Sequence, residues 1–298
     1  MAQIREIKKR MVAVKTIQRI TKTMQMIATA KFTAALQRSK ATRPYTDRIR
    51  QLVGEVSTAA GEVENPLLGG GRKSGRELIL VVTSDRGLCG AYNGSVLRRA
   101  MQEIRARRGE KRELMIETVG KKASSFFKFQ RIDVAERHSF GDKPVFDAVA
   151  TVAQRYMDDF SAGKIDAVHV VFMRFVSAAK QIPDVMQLLP LSLDSAAGAR
   201  GSKGGQAQTN AASTVYEFVP SAAALLDELL PKSVKVSLFQ ALNDAIVSEN
   251  VMRMVAMKAA TDNAGGLGRT LKRNYNRARQ AKITTELTEI IAGAAALE

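Results

Sequence analysis

The sequence contains no tryptophan and only one cysteine among its 298 residues, and aromatic residues make up 5% of it. A single cysteine, Cys89, excludes a disulfide framework within the chain and fits a reducing compartment. The 45% hydrophobic content excludes a disordered polyelectrolyte, because such chains cannot bury enough apolar surface to fold. The length allows one or two folded domains.

Long apolar runs are also missing. No stretch approaches the roughly 18–20 apolar residues that a membrane-spanning helix needs. The N-terminus opens directly into charged residues, without the apolar core of a signal peptide. We therefore expect an unexported chain that reaches a membrane only through partners.

Acidic residues are scarce where basic residues are concentrated. Residues 1–50 contain 13 Lys and Arg but only Glu6 and Asp47, and residues 263–285 contain six basic residues and no acid, in a chain of net charge +17. Such belts predict an anionic partner: nucleic acid, lipid headgroups or an acidic protein. A merely solvated helix face and a nucleic-acid-binding protein with a basic coiled-coil arm both remain open at this point.

The N-terminal segment has no proline before Pro44 and no glycine before Gly54, so little interrupts a helix predicted over residues 1–58. Its apolar residues recur at steps of three and four, which predicts one narrow seam. The predicted seam consists of Ile4, Ile7, Met11, Val14, Ile17, Ile20, Met24 and Ile27.

The C-terminal segment, residues 221–298, carries a similar apolar stripe. Its last part repeats in steps of four and three through Ile283, Leu287, Ile290, Ala294 and Leu297, which is a heptad pattern. Seams this narrow and long are expected to bury against each other. We therefore predict a long antiparallel coiled coil of the N- and C-terminal helices.

Between the helices, residues 76–194 predict an inserted Rossmann-like α/β domain with a mainly parallel sheet. Short β-branched runs predict strands at 77–83, 114–119, near 131–135 and at 166–175, and residues 180–193 add an extended piece. Helices are predicted at 92–108 and 144–162. Residues 195–214 are rich in Gly, Ser and Ala, which predicts a flexible loop.

Candidate active-site patterns are weak. The string SDRGLCGAYN (84–93) stands where a strand meets a helix, but its glycines match neither a dinucleotide fingerprint nor a P-loop. The spacing of Cys89, His138 and His169 gives no nucleophile–base pair, and His169 is expected to be a satisfied core residue. We predict no catalytic site, cofactor or metal site in this chain.

Four motifs, in order along the chain, resemble the gamma subunit of bacterial rotary F-type ATP synthases. They are IREIKKRMVAVKTIQRITKTMQMIATAKF (4–32), the SDRGLCGAYN string, SENVMRMVAMKAATDNA (248–264) and NRARQAKITTELTEIIAGAAAL (276–297). The resemblance implies a central rotor shaft inside a ring of three alpha and three beta subunits, also bound to the epsilon subunit and the c-ring. It implies a non-catalytic subunit, with active sites on the beta subunits, at the cytoplasmic face of the inner membrane.

The resemblance also implies site residues. Contacts to the beta subunits fall on Arg279, Gln280, Thr284, Arg86, Met24 and Arg10. A bearing tip of small and apolar groups falls on Ile290, Ile291, Ala294 and Leu297. A foot contact falls on Tyr216.

Overall fold

The computed structural model describes residues 2–60, 65–69, 74–191 and 221–295. The chain forms two compact units. One contains residues 1–30 and 252–298, and the other contains residues 31–251. Both long helices contribute to each unit: α1 runs from Ala2 to Ala60, and the last helix, α5, from Ala222 to Ala295.

In the first unit, the buried and half-buried positions of α1 alternate in steps of three and four, as in a heptad repeat. These positions are Ile4, Ile7, Met11, Val14, Gln18, Thr21, Gln25 and Ala28, and Met24 beside Gln25 is also half-buried. The predicted seam was wrong at three positions beyond Val14, since Ile17, Ile20 and Ile27 are each about half exposed. Repeated steps of three rotate off a 3.6-residue helix face, so the interface continues through Gln18 and Thr21 instead.

The two helices of this unit run antiparallel, as predicted. Thr261 Oγ1 donates to Thr21 Oγ1 at 2.9 Å. A Cβ on Gly265 would lie 3.0 Å from Gln18 Nε2, so glycine allows the close approach of the helices here. Moving towards the start of α1 thus means moving towards the end of α5. The described contacts do not explain Gly266, which has open space around it.

The end of α5 extends past this pairing. At the observed register, the first residue of α1 lies beside about residue 280 of α5, so some 15 residues, or about 22 Å, continue beyond it. The large apolar groups there, Ile283, Leu287, Ile290 and Ile291, are 54–69% exposed. The predicted burial of the two seams against each other therefore does not extend to this end, because the described part of α1 is too short to cover it.

The second unit contains a five-stranded sheet of order β3-β2-β1-β4-β5, in which only β5 is antiparallel to its neighbour. The predicted α/β class is confirmed. The strands are β1 (Arg76–Val82), β2 (Glu113–Val119), β3 (Glu136–His138), β4 (Ala167–Phe175) and β5 (Gln181–Leu189). The helices between them are α2 (Tyr92–Gly109), α3 (Lys121–Phe129) and α4 (Phe146–Ser161), and a 3-10 turn spans Pro66–Leu68.

Two details of this unit differ from the predictions. The third strand lies at 136–138 rather than near 131–135, because Arg131 has a φ of 56° and closes a turn. Helix α3 was not predicted, because its nine residues are too few to show a clear helical period. The predicted loop 195–214 lies outside the described residues.

In the same unit, α1 and α5 meet through a buried polar layer as well as apolar side chains. Gln240 Nε2 donates to Asp244 Oδ1 at 2.8 Å and to Ser39 Oγ at 3.2 Å. Thr42 Oγ1 donates to Gln240 Oε1 at 3.2 Å. Burial raises the pKa of Asp244, although the charge of Arg43 and the hydrogen bond from Gln240 act in the opposite direction.

Candidate functional site

The turn between β1 and α2, residues 83–91, is fixed by its own side chains. Ser84 Oγ donates to Arg86 O at 2.6 Å, and the Ser84 amide donates to Asn93 Oδ1 at 3.0 Å. Asn93 Nδ2 lies 3.1 Å from the Sγ of Cys89. Cys89 is therefore a buried part of the turn rather than an exposed thiol.

A second layer of contacts holds this turn against the start of α3. Asp85 Oδ1 accepts the amide of Lys121 at 3.0 Å, and Thr83 Oγ1 accepts the amide of Ala123 at 2.9 Å. Gly120 has a φ of +89°, and a Cβ there would lie 2.3 Å from Thr83 O. Only glycine fits this position without a shift of the backbone.

This rigid turn presents two exposed side chains, Arg86 and Leu88. Leu88 is 60% exposed and has a φ of 61°, a conformation that costs about 1 kcal/mol or more for a residue with a side chain. Arg86 Nη2 lies 3.8 Å from Asp142 Oδ2, which lies between β3 and α4. Arg86 was predicted as a contact residue, whereas Asp142, which follows 56 residues later in the chain, was not.

The two histidines lie in separate buried clusters rather than beside Cys89. His169 Nε2 lies 3.5 Å from Glu77 Oε2, and neither atom has a hydrogen-bond partner. The expected core position of His169 is confirmed, since it is 2% exposed, but the expectation of a satisfied side chain was wrong for Nε2. Burial, together with the nearby charge of Arg107, lowers the pKa of His169 to about 4, so the imidazole is neutral at pH 7.

The other cluster, which we call the Glu117 cluster, consists of Glu117, Glu136, His138, Arg155 and Tyr156. Glu117 Oε2 lies 2.7 Å from His138 Nε2 and accepts from Arg155 Nη2 at 2.7 Å and Tyr156 Oη at 2.6 Å. Burial raises the pKa of Glu117, but the hydrogen bonds from His138 and Tyr156 and the charge of Arg155 outweigh it and leave the pKa below its usual range.

Three members of the Glu117 cluster could ligate a metal. The ligand atoms of Glu117, Glu136 and His138 lie within 4.8 Å of one another. This grouping was not predicted, because Glu117 lies on a different strand from the other two and is separated from them in sequence. Arg155 forms ion pairs with both carboxylates, so its guanidinium already stands where a cation would bind. The geometry favours a structural ionic cluster over a metal site.

In the first unit, the predicted contact residues lie on exposed or half-exposed faces. Arg10 pairs with Glu6 at 2.5 Å, and Met24 is half-buried. Arg279, Gln280 and Thr284 are exposed on α5, and Thr284 Oγ1 donates to Gln280 O at 3.0 Å. Arg279 and Gln280 lie at the level where α1 begins, at the base of the unpaired end of α5.

That unpaired end carries the predicted bearing tip. Ile290 and Ile291 are 69% and 61% exposed, a large apolar surface for the end of a helix. Ala294 belongs to the same helix. Leu297 and the predicted foot residue Tyr216 lie outside the described residues.

Comparison with known proteins decides the family. A family model described as ATP synthase matches residues 3–297. The protein named ATP synthase gamma chain from Rhodopirellula baltica is 41% identical over 301 residues, with full coverage of both chains. That from Leptospira biflexa is 37% identical over 298 residues, again with full coverage. The chain belongs to the ATP synthase gamma-chain family. The predicted resemblance is confirmed.

Solved structures support the fold. A cryo-EM structure of the Euglena gracilis mitochondrial ATP synthase rotor contains a chain with a TM-score of 0.64 and 22% identity, covering 95% of this chain and 99% of that one. A second, of the OSCP/F1/c-ring part of the same enzyme, gives a TM-score of 0.67 at 20% identity, with 99% and 95% coverage. Among the described residues of this gamma-family chain, no helix is long and apolar enough to cross a membrane.

Proposed function

We propose that this chain is the central rotor shaft of an F-type ATP synthase, which couples proton-driven rotation of the c-ring to ATP synthesis or hydrolysis on the beta subunits. The observation that carries the proposal is the unpaired end of α5. It is a helix with four large apolar side chains exposed, on a chain of the gamma family. A contiguous exposed apolar surface of this kind marks a site of interaction with another molecule.

The proposed bearing consists of Ile290, Ile291, Ala294 and Leu297. Apolar contacts have no preferred direction, whereas hydrogen bonds require alignment. A tip of this composition can therefore turn inside a ring of alpha and beta subunits without breaking aligned bonds at every angle.

The polar residues at the base of this end form the proposed catch. Arg279, Gln280 and Thr284 are exposed and can hydrogen-bond a loop of a beta subunit at preferred angles. Arg10 and Met24 on α1 and Arg86 on the β1–α2 turn supply further contacts to the beta subunits. The basic excess of both terminal segments suits acidic loops on those partners.

Coupling follows from a mismatch in symmetry. One asymmetric shaft faces three chemically identical beta subunits in a 3:3:1 complex, so each beta subunit contacts a different side of it. Differential contact free energy biases each subunit towards a different nucleotide affinity, and a third of a turn permutes these states. The chain itself catalyses nothing in this proposal, and it uses no cofactor.

The second unit is the proposed binding region for the epsilon subunit and the c-ring, with Tyr216 as a foot contact. The chain would then be a peripheral protein at the cytoplasmic face of the bacterial inner membrane. Contact with the membrane would be made through these partners.

The first test is assembly. Coexpressed with alpha and beta subunits, the chain should purify in a complex with ATPase activity and 3:3:1 stoichiometry by native mass measurement. The isolated chain should bind no nucleotide tightly. A stable alpha–beta complex that excludes the chain would contradict the proposal.

The second test addresses the catch. Arg279→Ala should lower coupled turnover about tenfold or more with assembly intact, because a hydrogen bond to a charged group contributes about 1.5–3 kcal/mol. Arg277→Ala is the matched control, since it removes the same charge from a different face of the same exposed helix segment. Equal turnover in the two variants would remove Arg279 from the catch.

The alternative of a nucleic-acid-binding protein gains no support from the gamma-chain relatives. It predicts binding to RNA or DNA that weakens steeply as salt rises. The absence of such binding at moderate salt would retire it.

A further inference from the structure

Asp142 is a meeting point for cations from two parts of the second unit. Lys31 Nζ on α1 donates to Asp142 Oδ2 at 2.5 Å, and Arg86 Nη2 on the β1–α2 turn lies 3.8 Å from the same oxygen. Arg38, also on α1, donates from Nη2 to the main-chain oxygen of Asp142 at 3.2 Å. One loop residue thus joins the helix to the turn.

The shared oxygen brings the cationic heads of Lys31 and Arg86 within roughly 6 Å of each other, where like charges repel. The carboxylate between them offsets that repulsion. The Lys122 side chain passes within 3.9 Å of where a side chain at Gly87 would begin, which adds another cation to the same surface. Without the carboxylate, the flexible side chains would separate.

Both side chains are accessible from solvent. The Arg86 side chain is 73% exposed, and a guanidinium carries five N–H donors. Lys31 is 35% exposed and carries three donors. The pair therefore presents two adjacent cationic groups, which suits a segment with closely spaced carboxylates.

We propose that Asp142 is a positioning residue that holds Arg86 and Lys31 side by side as a recognition surface for an acidic loop of a surrounding subunit. This inference rests on the proposed function, since it needs the alpha–beta ring as the partner. It extends that function because an acidic side chain within a basic surface then favours the binding of an acidic partner.

Two explanations of how the basic surface binds an acidic partner predict opposite effects of Asp142→Asn on the affinity. If only total charge matters, Asp142→Asn adds one positive charge and strengthens binding to an acidic partner. If position matters, the same change disperses Lys31 and Arg86 and weakens binding. Asp133→Asn, at an exposed acid between α3 and β3, is the matched control for charge alone.

The experiment measures dissociation of full-length chains from an immobilised alpha–beta ring at low and moderate salt. We expect Asp142→Asn to dissociate about two- to fivefold faster than wild type, the scale of a partly exposed ion pair. Asp133→Asn should match or slightly exceed the wild-type affinity, and Asp142→Glu should restore much of the loss. In an Arg86→Ala background, Asp142→Asn should have a smaller effect, because Lys31 is then the one member of the pair left to be displaced.

The outcomes separate the two proposals. If the wild-type chain does not bind the ring, the proposed function fails. If wild type binds and Asp142→Asn behaves like Asp133→Asn, the positioning role is overturned. A loss that persists undiminished in the Arg86→Ala background also overturns it, because damage to the fold would act independently of Arg86. Urea midpoints of the free chains provide the check on folding.

Discussion

Replacing Glu117 by Gln tests the buried ionic cluster of the second unit. The Glu117 carboxylate is 2% exposed, and three side chains converge on it at 2.6–2.8 Å. An amide of nearly the same shape keeps one acceptor oxygen. Its NH₂ group, however, points a donor at a guanidinium or a hydroxyl that also needs an acceptor.

The expected loss of unfolding free energy follows from the polar groups that stay buried after the substitution. Arg155 loses the charge of its most buried partner and keeps the half-exposed Glu136. Whichever of the Arg155 guanidinium and the buried Tyr156 hydroxyl faces the new NH₂ group also loses an acceptor. Breaking a buried ion pair costs about 3–5 kcal/mol of unfolding free energy. We expect Glu117→Gln to fall within that range at pH 7.

The assay is urea unfolding of the full-length chain, followed by circular dichroism. Glu113→Gln is the control, because Glu113 begins the same strand and pairs with Arg76 at 2.8 Å in an exposed position. Its effect should be small. Equal destabilisation of the two variants would refute the argument that burial sets the cost.

The stabilisation contributed by Glu117 should depend on pH in a defined direction. Because the folded-state pKa of Glu117 is depressed, its stabilisation is present above the unfolded pKa of about 4.3 and is lost as the pH falls through the lower folded value. The gap between wild type and Glu117→Gln should therefore shrink in acid. A gap that widens towards acid would contradict the assignment of a stabilising carboxylate.

Two further substitutions follow from local geometry. Gly120→Ala should lower the free energy of unfolding by at least about 3 kcal/mol in the same urea assay, since the new Cβ would lie 2.3 Å from Thr83 O and the φ of residue 120 is positive. A decrease below about 1 kcal/mol would show that the turn adjusts easily. Asp244→Asn should stabilise the chain by about 1 kcal/mol at pH 7, because the raised pKa means that the ionised form is penalised as the pH rises above about 4. The gain should vanish near pH 3.5, and a gain unchanged by pH would contradict this cause.

Much of the fold follows from periodicity. The long terminal helices, the α/β class and the central strands were predicted, because each carries a strong apolar pattern over many residues. The interface of α1 beyond Val14 was not, because polar Gln18 and Thr21 occupy seam positions and apolar Ile17 and Ile20 lie outside them. Composition cannot distinguish a seam isoleucine from one that faces a partner.

The candidate sites divide in the same way. The place of Arg279 and Ile290 on a long helix could be predicted from the apolar pattern of that helix, whereas their roles were implied by the family resemblance and stay predictions. The contacts of Asp142 and Glu117 could not be predicted, since their partners come from segments 21–111 residues away and only the folded chain brings them together. An ion pair between residues that are distant in sequence leaves no local pattern in the sequence.

The polar layer of Ser39, Thr42, Gln240 and Asp244 has a mechanical consequence for α1 and α5. Two helices with a purely apolar interface can shift along one another by one turn and recover most of their contacts. The hydrogen bonds of this polar layer, in contrast, form at a single register of the two helices. A torque applied to either helix in this region is therefore transmitted to the other without slippage between them.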